Sequence, residues 1–157
     1  MKNIDKLIYT YKHRKIVRYL AAKYTDSQEL LERLKEHDLD KMYMLLFYDK
    51  KMVSKFHREV SPHHDNDTEK NHLDYVEMVL DWESARYTKL DKPLNAYDTL
   101  YKYYPKLEDK ILPILKEMGI AKSSLPMEED VVKYVDMLKD IDENTIKEEL
   151  VNYIKKL

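Results

Sequence analysis

At 157 residues, with 37% charged and 43% hydrophobic residues, the chain has the length and composition of one globular domain rather than of a disordered protein. The net charge is −2 and acidic and basic residues are interspersed, which argues against a basic face for nucleic acid. The absence of cysteine excludes disulfides and thiolate metal ligands, and a single glycine excludes the P-loop and the glycine-rich dinucleotide motif.

The hydrophobic periodicity predicts an all-α protein, a helical bundle of about 6–8 helices. Apolar residues at helical spacing predict a first helix over residues 3–24. His13 shares a face of that helix with Ile16, Val17 and Leu20, so its side chain is expected to point toward the protein. The simplest interpretation of such a histidine is a half-buried side chain with a single hydrogen bond.

Capping residues Thr25-Asp26-Ser27 predict a second helix over about 27–36, which ends at His37 and Asp38. A neutral imidazole and a carboxylate are two common types of metal ligand, and here they stand side by side. Lys41 follows closely and could meet an anionic substrate at the same place. Because His-Asp is a common dipeptide, a metal site requires further ligands from the rest of the chain.

A third helix is predicted over about 40–57, and its methionines and aromatic residues are expected to fill the core. From Arg58 to Asn71 the periodicity stops, which predicts a polar surface loop. This loop contains His63 and His64 next to carboxylates. Both a solvated polar loop and a pair of metal ligands are consistent with that composition.

Asp67 or Thr68 is expected to cap a fourth, largely buried helix over about 69–90. On this helix Asp74, Glu77 and Asp81 recur at three and four residues and therefore form one acidic stripe. Burying such a stripe without a partner would cost several kcal/mol. We therefore expect basic side chains, or a metal ion for at least one carboxylate, to face it.

The remaining helices are expected to be scaffold, and no histidine follows position 72. We predict one domain over 1–157, in which residues 1–91 hold the metal chemistry and residues 92–157 form a helical extension packed on them. The helices predicted in that extension cover Asn95 to about 104, 106–118, about 126–140, and a last helix that starts at Asp142 or Asn144. The last helix should turn its apolar residues inward: Ile146, Leu150, Ile154 and Leu157.

The order of the candidate ligands resembles the HD-domain superfamily of metal-dependent phosphohydrolases, and the segment HDLDK resembles its HD-x-x-K element. The string SPHHDND…HLDYVEMVLDW is similar to a family of small bacterial and phage proteins that carry a His-His loop followed by an E-M-x-x-D-W helix. The resemblance covers roughly residues 9–90. The chain departs from that small family at Asp40, where a serine is usual, and at Met42, where a phenylalanine is usual.

The resemblance implies an HD-domain-like bundle that hydrolyses a nucleotide or another phosphoester with one or two divalent cations: Mn, Fe, Zn, Ni, Co or Mg. A second cation, recruited by His63 or His64, would lie ~3.5–4 Å from the first. Lys41 would contact a substrate phosphate, and Glu77 would orient a histidine or accept a proton. The implied ligands of the first cation are His13, His37, Asp38 and Asp81.

The competing interpretation is a non-catalytic helical protein, in which the same residues form a buried polar network. Such a protein would bind a protein partner through a tyrosine-rich patch, a composition that suits interfaces. The tyrosines of that patch are Tyr97, Tyr101, Tyr103 and Tyr104. A metal-bound protein without phosphatase activity would instead indicate oxygenase-type chemistry.

No apolar run approaches the ~20 residues of a membrane span, and the polar N-terminal residues do not match a signal peptide. We therefore expect a cytoplasmic protein with no membrane partner, whose ligand is a small phosphorylated molecule. Association into a homo-oligomer is compatible with the sequence. The sequence shows no motif that would identify the substrate.

Overall fold

The computed structural model describes residues 1–91 and 93–156, and within them every regular element is a helix, which confirms the all-α prediction. None of these helices combines the length and apolar composition needed to cross a membrane. Two short 3-10 helices cover Leu34–Glu36 and Pro105–Leu107. The α-helices are α1 (Ile4–Tyr24), α2 (Gln28–Arg33), α3 (Leu39–Leu45), α4 (Lys50–Val60), α5 (His72–Thr88), α6 (Ala96–Tyr103), α7 (Glu108–Met118), α8 (Glu129–Met137) and α9 (Glu143–Lys155).

The continuous helix predicted over 40–57 is wrong, because the chain forms two helices there, α3 and α4. Asp49 begins the second helix: its side chain accepts hydrogen bonds from the backbone N–H groups of Lys51 and Met52, at 3.0 and 3.3 Å. The break changes which faces are buried. Met52 and Phe56 are 60% and 49% exposed and do not fill the core as predicted.

Helix α5 begins at His72, later than predicted, because Asn71 caps it rather than Asp67 or Thr68. The Asn71 side chain accepts from the Asp74 N–H, and the Asp74 carboxylate accepts from the Asn71 N–H in return. The first member of the predicted acidic stripe therefore also has a local structural role.

Helix α1 is the central element of the fold and carries a hydrophobic cluster on each half. Leu7 in its first half belongs to a cluster with residues of α3, α4 and α9, and Leu20 in its second half to a larger one with residues of α5, α7 and α8. His13 lies on α1 between these two parts. A polar site at His13 is therefore enclosed by apolar packing on both sides along the helix.

Residues of the range 93–156 contribute to both clusters: Leu100 and Leu115 to the larger, Ile146 and Leu150 to the smaller. The inward position predicted for Ile154 is wrong, because this side chain near the end of α9 is 52% exposed. Leu157, also predicted inward, lies outside the described residues. The division into a metal-site part and an extension stays a prediction.

The buried guanidinium of Arg14 holds the turn between α2 and α3 in place. Its Nε donates to the carbonyl oxygen of His37 at 2.8 Å and its Nη2 donates to that of Lys35 at 2.7 Å. Its Nη1 donates to Glu149 on α9 at 3.0 Å. One side chain of α1 thus fixes the backbone that carries His37 and Asp38.

Replacing Leu20 by alanine should lower the free energy of unfolding by about 2–5 kcal/mol, because the fully buried side chain leaves a cavity in the larger cluster. The matched control is Leu90→Ala, which removes the same atoms from a side chain that is 70% exposed and should change stability by only about 0.5 kcal/mol. Urea unfolding of both variants measures the difference. Equal losses would contradict the central position of α1.

Candidate metal centre

The His37-Asp38 pair stands in the turn between the 3-10 helix and α3, with both side chains buried. Asp38 has a φ of 56° and a ψ of 14°, in the left-handed region that few residues other than glycine adopt. Aspartate tolerates this region better than most side chains, and such strained positions concentrate at functional sites. The Asp38 carboxylate caps no N–H of α3, so both of its oxygens remain for other partners.

Four predicted ligands, His13, His37, Asp38 and Asp81, come together as a first group whose ligand atoms all lie within 4.8 Å of one another. His13 Nε2 is 3.2 Å from His37 Nε2, 3.3 Å from Asp38 Oδ2 and 2.7 Å from Asp81 Oδ1. His37 Nε2 is 3.5 Å from Asp38 Oδ2 and 3.9 Å from Asp81 Oδ1. They come from α1, the α2–α3 turn and α5, which are distant in sequence.

Three of these distances, 3.2, 3.3 and 3.5 Å, are close to those between ligands around one cation, and those of 2.7 and 3.9 Å differ from them by a few tenths of an ångström. Nitrogen and oxygen ligands about 2.1 Å from a metal, at angles between 90° and 109°, lie about 3.0–3.4 Å from each other. The hydrogen bonds of Ser84 also determine which nitrogen of His13 can bind a metal ion. Ser84 donates its only hydrogen to the Asp81 carbonyl, so its oxygen accepts the Nδ1 proton of His13, at 3.1 Å. The neutral form of His13 then presents its Nε2 lone pair to the group.

A second group consists of His57, His63 and His64. The Nε2 atoms of His57 and His63 are 3.4 Å apart and lie 2.8 and 3.2 Å from Asp38 Oδ1. This oxygen is buried and accepts no hydrogen bond of good geometry, although both imidazole nitrogens lie close to it. A buried carboxylate oxygen facing imidazole nitrogens has the surroundings of a metal ligand.

Asp38 therefore joins the two groups, because Oδ2 faces the first and Oδ1 faces the second. His64 also approaches the first group, with its Nε2 3.9 Å from Asp81 Oδ2. Both histidines of the loop thus lie at the site, which the sequence left open. The residues as a whole fit two neighbouring divalent cations that share one carboxylate.

His57 was not among the predicted ligands, although it belongs to the second group. It is 1% exposed and lies one helical turn after the buried Val53 on α4. That i, i+4 spacing was the signal in the sequence that could have identified His57.

Asp40, where the chain departs from the pattern of the small family that it resembles, lies 3.1 Å from His57 Nδ1 and orients this ring. The predicted surface loop is also partly wrong, because His63 is only 4% exposed.

Basic side chains face the acidic stripe of α5, which is one of the two kinds of partner that the sequence allowed. Arg33 pairs with Asp74 and with Glu77, whose Oε2 lies 2.8 Å from Arg33 Nε. Asp81 instead faces the imidazole of His13. Arg33 was not predicted in this role, because its approach depends on how α2 packs against α5.

Glu77 lies next to the Nδ1 atoms of two of the imidazoles. Its Oε1 lies 2.7 Å from His37 Nδ1 and 3.3 Å from His63 Nδ1. An ionised carboxylate only accepts, so His37 donates from Nδ1 and its Nε2 is free to act as a ligand. Glu77 forms a third group with these two histidines, but the Arg33 guanidinium on its other oxygen makes this the least favourable place for a cation.

The charges of the site depend on one another. Burial lowers the pKa of His13, but Asp81 and Asp38 outweigh it and raise this pKa to about 9. Burial likewise opposes protonation of His63, yet Asp38 and Glu77 raise its pKa to about 10. Burial lowers the pKa of His64 to about 4. In the metal-free protein, protons on imidazoles therefore balance the carboxylates, and a bound cation would displace them.

Two cavities border the centre and share Asp38 in their linings. One, of about 400 Å³, is lined by three acidic side chains besides Asp38, with Arg33 as its only Arg or Lys. The lining of the other, of about 320 Å³, includes Lys41 and three further Lys or Arg residues together with Asp38 and Asp81. Basic side chains in a cavity attract anions.

Comparisons of the chain with protein-family models, with curated proteins and with solved structures found no match. The resemblance to HD-domain proteins therefore stays a prediction. The function has to be inferred from the geometry and charge of the centre.

The metal-free protein should lose stability as the pH rises from 6.5 toward 9. The folded-state pKa of His13 lies above its ordinary value, so its contribution is complete below pH 6.5 and disappears as the pH passes through about 9. Urea unfolding after chelator treatment measures this slope. The comparison is Asp81→Asn, which removes the largest charge that raises the His13 pKa. An unchanged slope in this variant would contradict the assignment.

Replacing Glu77 by glutamine should weaken metal binding by about 10–100-fold, because a neutral amide oxygen accepts a weaker hydrogen bond from His37 Nδ1–H than the carboxylate does. Isothermal titration with zinc measures the affinity. Glu36→Gln is the control: it removes an exposed carboxylate from the same cavity without contact to an imidazole. Equal affinities of the two variants would exclude a positioning role for Glu77.

Proposed function

We propose that this protein is a divalent-metal-dependent phosphohydrolase, which binds two cations at the groups joined by Asp38 and hydrolyses a phosphoester between them. The observation that carries the proposal is the division of one buried carboxylate between two sets of imidazoles. The first cation would be held by His13, His37, Asp38 and Asp81, and the second by Asp38, His57, His63 and His64. The sequence resemblance to HD-domain phosphohydrolases supports the same reading.

The ligand chemistry narrows the choice of metal. Five imidazoles contribute to the two groups, and imidazole suits Zn, Fe, Ni and Co better than it suits Mg, which prefers oxygen ligands. The chain has no cysteine, so the site offers no thiolate ligand that would favour a softer metal ion. We therefore propose a transition metal in both positions.

The reaction needs water, a phosphoester and charge compensation. When bound, the cations lower the pKa of a water molecule and neutralise charge on phosphate oxygens. The water oxygen bonds to phosphorus, the ester P–O bond breaks, and the alcohol leaves with a proton. Lys41 lines the cavity and offers a point charge to the phosphate. Glu77 is held by Arg33 and two histidines, which favours orientation of the imidazoles over proton transfer.

The structure removes one of the four tyrosines on which the non-catalytic alternative depends. Tyr104 stacks on Trp82, with ring centres 4.9 Å apart, and lines the cavity above the centre. Tyr104 therefore belongs to the surroundings of the candidate metal centre, and its presence does not require a protein partner. Tyr101 and Tyr103 are 38% and 52% exposed and remain the part of the patch that a protein partner could reach.

Elemental analysis combined with hydrolysis of p-nitrophenyl phosphate tests the proposal. We expect two metal ions per wild-type chain and metal-dependent hydrolysis. Asp38→Asn should lose both ions and the activity, because this side chain serves both groups, whereas His57→Ala should lose one ion. His72→Ala is the matched control, since this exposed histidine lies outside the groups and should change neither quantity.

Retention of metal and activity by Asp38→Asn would contradict the proposal. Metal binding without hydrolysis of any phosphoester would also contradict it and would favour the oxygenase-type reading.

A further inference from the structure

A basic arm leads away from the centre. The cavity above the metal groups continues into a second cavity, of about 540 Å³, with which it shares Lys6, Ser54 and Arg58. Lys41 and Lys89 complete the basic lining of the first cavity. Lys50, Lys51 and Lys55 of α4 line the second. We define these seven cations, from Lys41 at the centre to Lys50 at the far end, as the basic arm.

The basic arm is not compensated by the protein. Within residues 1–91 and 93–156, none of its seven cations forms an ion pair with a carboxylate, although the chain as a whole carries more acidic than basic residues. The carboxylates that line the two cavities, Asp38 and Asp81, already face the histidines. So much charge of one sign in adjoining cavities attracts an anion with several charges.

Two features show that this arrangement costs stability. Burial and the neighbouring Lys41, Lys89 and Lys50 lower the pKa of Lys6 to about 8, so these cations repel one another. Lys50 and Lys51 occupy the first turn of α4, where the positive end of the helix dipole disfavours basic side chains. A polyanion lying on the arm would relieve both effects.

The arm also has a direction. Under the proposed function the reacting phosphate would lie at the centre. The adjoining cavities extend from there to Lys6, whose ammonium lies over the Tyr9 ring at 4.8 Å from the ring centre, and on to the lysines of α4. The cavity on the other side of the centre offers only Arg33 as a strong cation, so a second phosphate has no comparable partner there.

We propose that the basic arm binds the non-reacting phosphates of a linear polyphosphate group, so that the substrate is a small molecule with two or three linked phosphates rather than a phosphomonoester. This inference rests on the proposed function for the reacting phosphate. The phosphate chain can belong to a nucleoside polyphosphate, whose ester P–O bond breaks so that the nucleoside alcohol leaves with a proton. It can also belong to inorganic polyphosphate, in which water breaks a P–O–P anhydride bond and a shorter phosphate chain leaves. The parallel rings of Trp82 and Tyr104 beside the first cavity offer a stacking surface that only the nucleotide would use.

The test compares two charge-reversal variants of equal net charge. Lys51→Glu/Lys55→Glu changes the arm, and Lys110→Glu/Lys116→Glu changes two exposed lysines of α7 that line neither cavity. A glutamate at position 51 suits the first turn of α4, so the arm variant is expected to fold. Circular dichroism checks this. Isothermal titration of the metal-loaded proteins with tripolyphosphate and with orthophosphate provides the binding readout.

We expect the arm variant to bind tripolyphosphate at least about tenfold more weakly than the α7 variant, because it loses two charge-assisted contacts. Added salt should weaken tripolyphosphate binding of the wild type much more than orthophosphate binding. The ratio of kcat/KM for adenosine triphosphate to that for adenosine monophosphate should fall in the arm variant. Tighter binding of adenosine triphosphate than of tripolyphosphate would identify the nucleotide as the source, and equal binding the inorganic chain.

Equal tripolyphosphate affinities of the two variants would overturn the arm while leaving the hydrolase proposal intact. Loss of tripolyphosphate binding in the arm variant, in a protein that hydrolyses no phosphoester, would support the arm and refute the hydrolase. A single-stranded oligonucleotide that binds more tightly than tripolyphosphate would overturn the assignment of a small polyphosphate.

Discussion

The carboxylates of Asp38, Glu77 and Asp81 lie in or near the interior, within reach of five imidazoles. Removing this much negative charge from water is costly unless positive charge lies among the oxygens. In the metal-free protein the positive charge comes from protons on histidines such as His13 and His63, whose pKa values the neighbouring carboxylates raise. Two cations would compensate the same carboxylates more fully and would use the imidazole lone pairs as well. The strained backbone of Asp38 is consistent with this demand, because one residue serves both groups.

The fold surrounds the candidate ligands with residues that hold them in position. His13 lies between the two apolar clusters of α1, and Arg14, the next residue, fixes the backbone of the turn that carries His37. Oxygen atoms of Ser84, Glu77 and Asp40 each accept a hydrogen bond from an imidazole Nδ1–H group. Such partners set the tautomer and the direction of a ligand, and they raise its basicity. The same residues would hold the imidazoles in place while substrate and product exchange.

Part of this centre could be predicted from the sequence, because local patterns carry it. The face of α1 that holds His13, the adjacent His37 and Asp38, and the helical spacing that ends at Asp81 all depend on neighbours within a few turns. Arg33 and Asp40 could not be assigned, since their roles arise from how separate helices approach each other. The division of the predicted helix 40–57 was missed because the cap at Asp49 competes with an unbroken run of helix-forming residues. That division also exposes Met52 and Phe56, which composition alone places in the core.

A crystal structure of the metal-loaded protein, with anomalous diffraction at the absorption edge of the bound metal, tests the central claim most directly. The account predicts two anomalous peaks ~3.5–4 Å apart, one on each side of the Asp38 carboxylate. One peak would lie among His13, His37 and Asp81, and the other among His57, His63 and His64. Peaks elsewhere, or a hydrogen-bonded network without metal at Asp38, would contradict it.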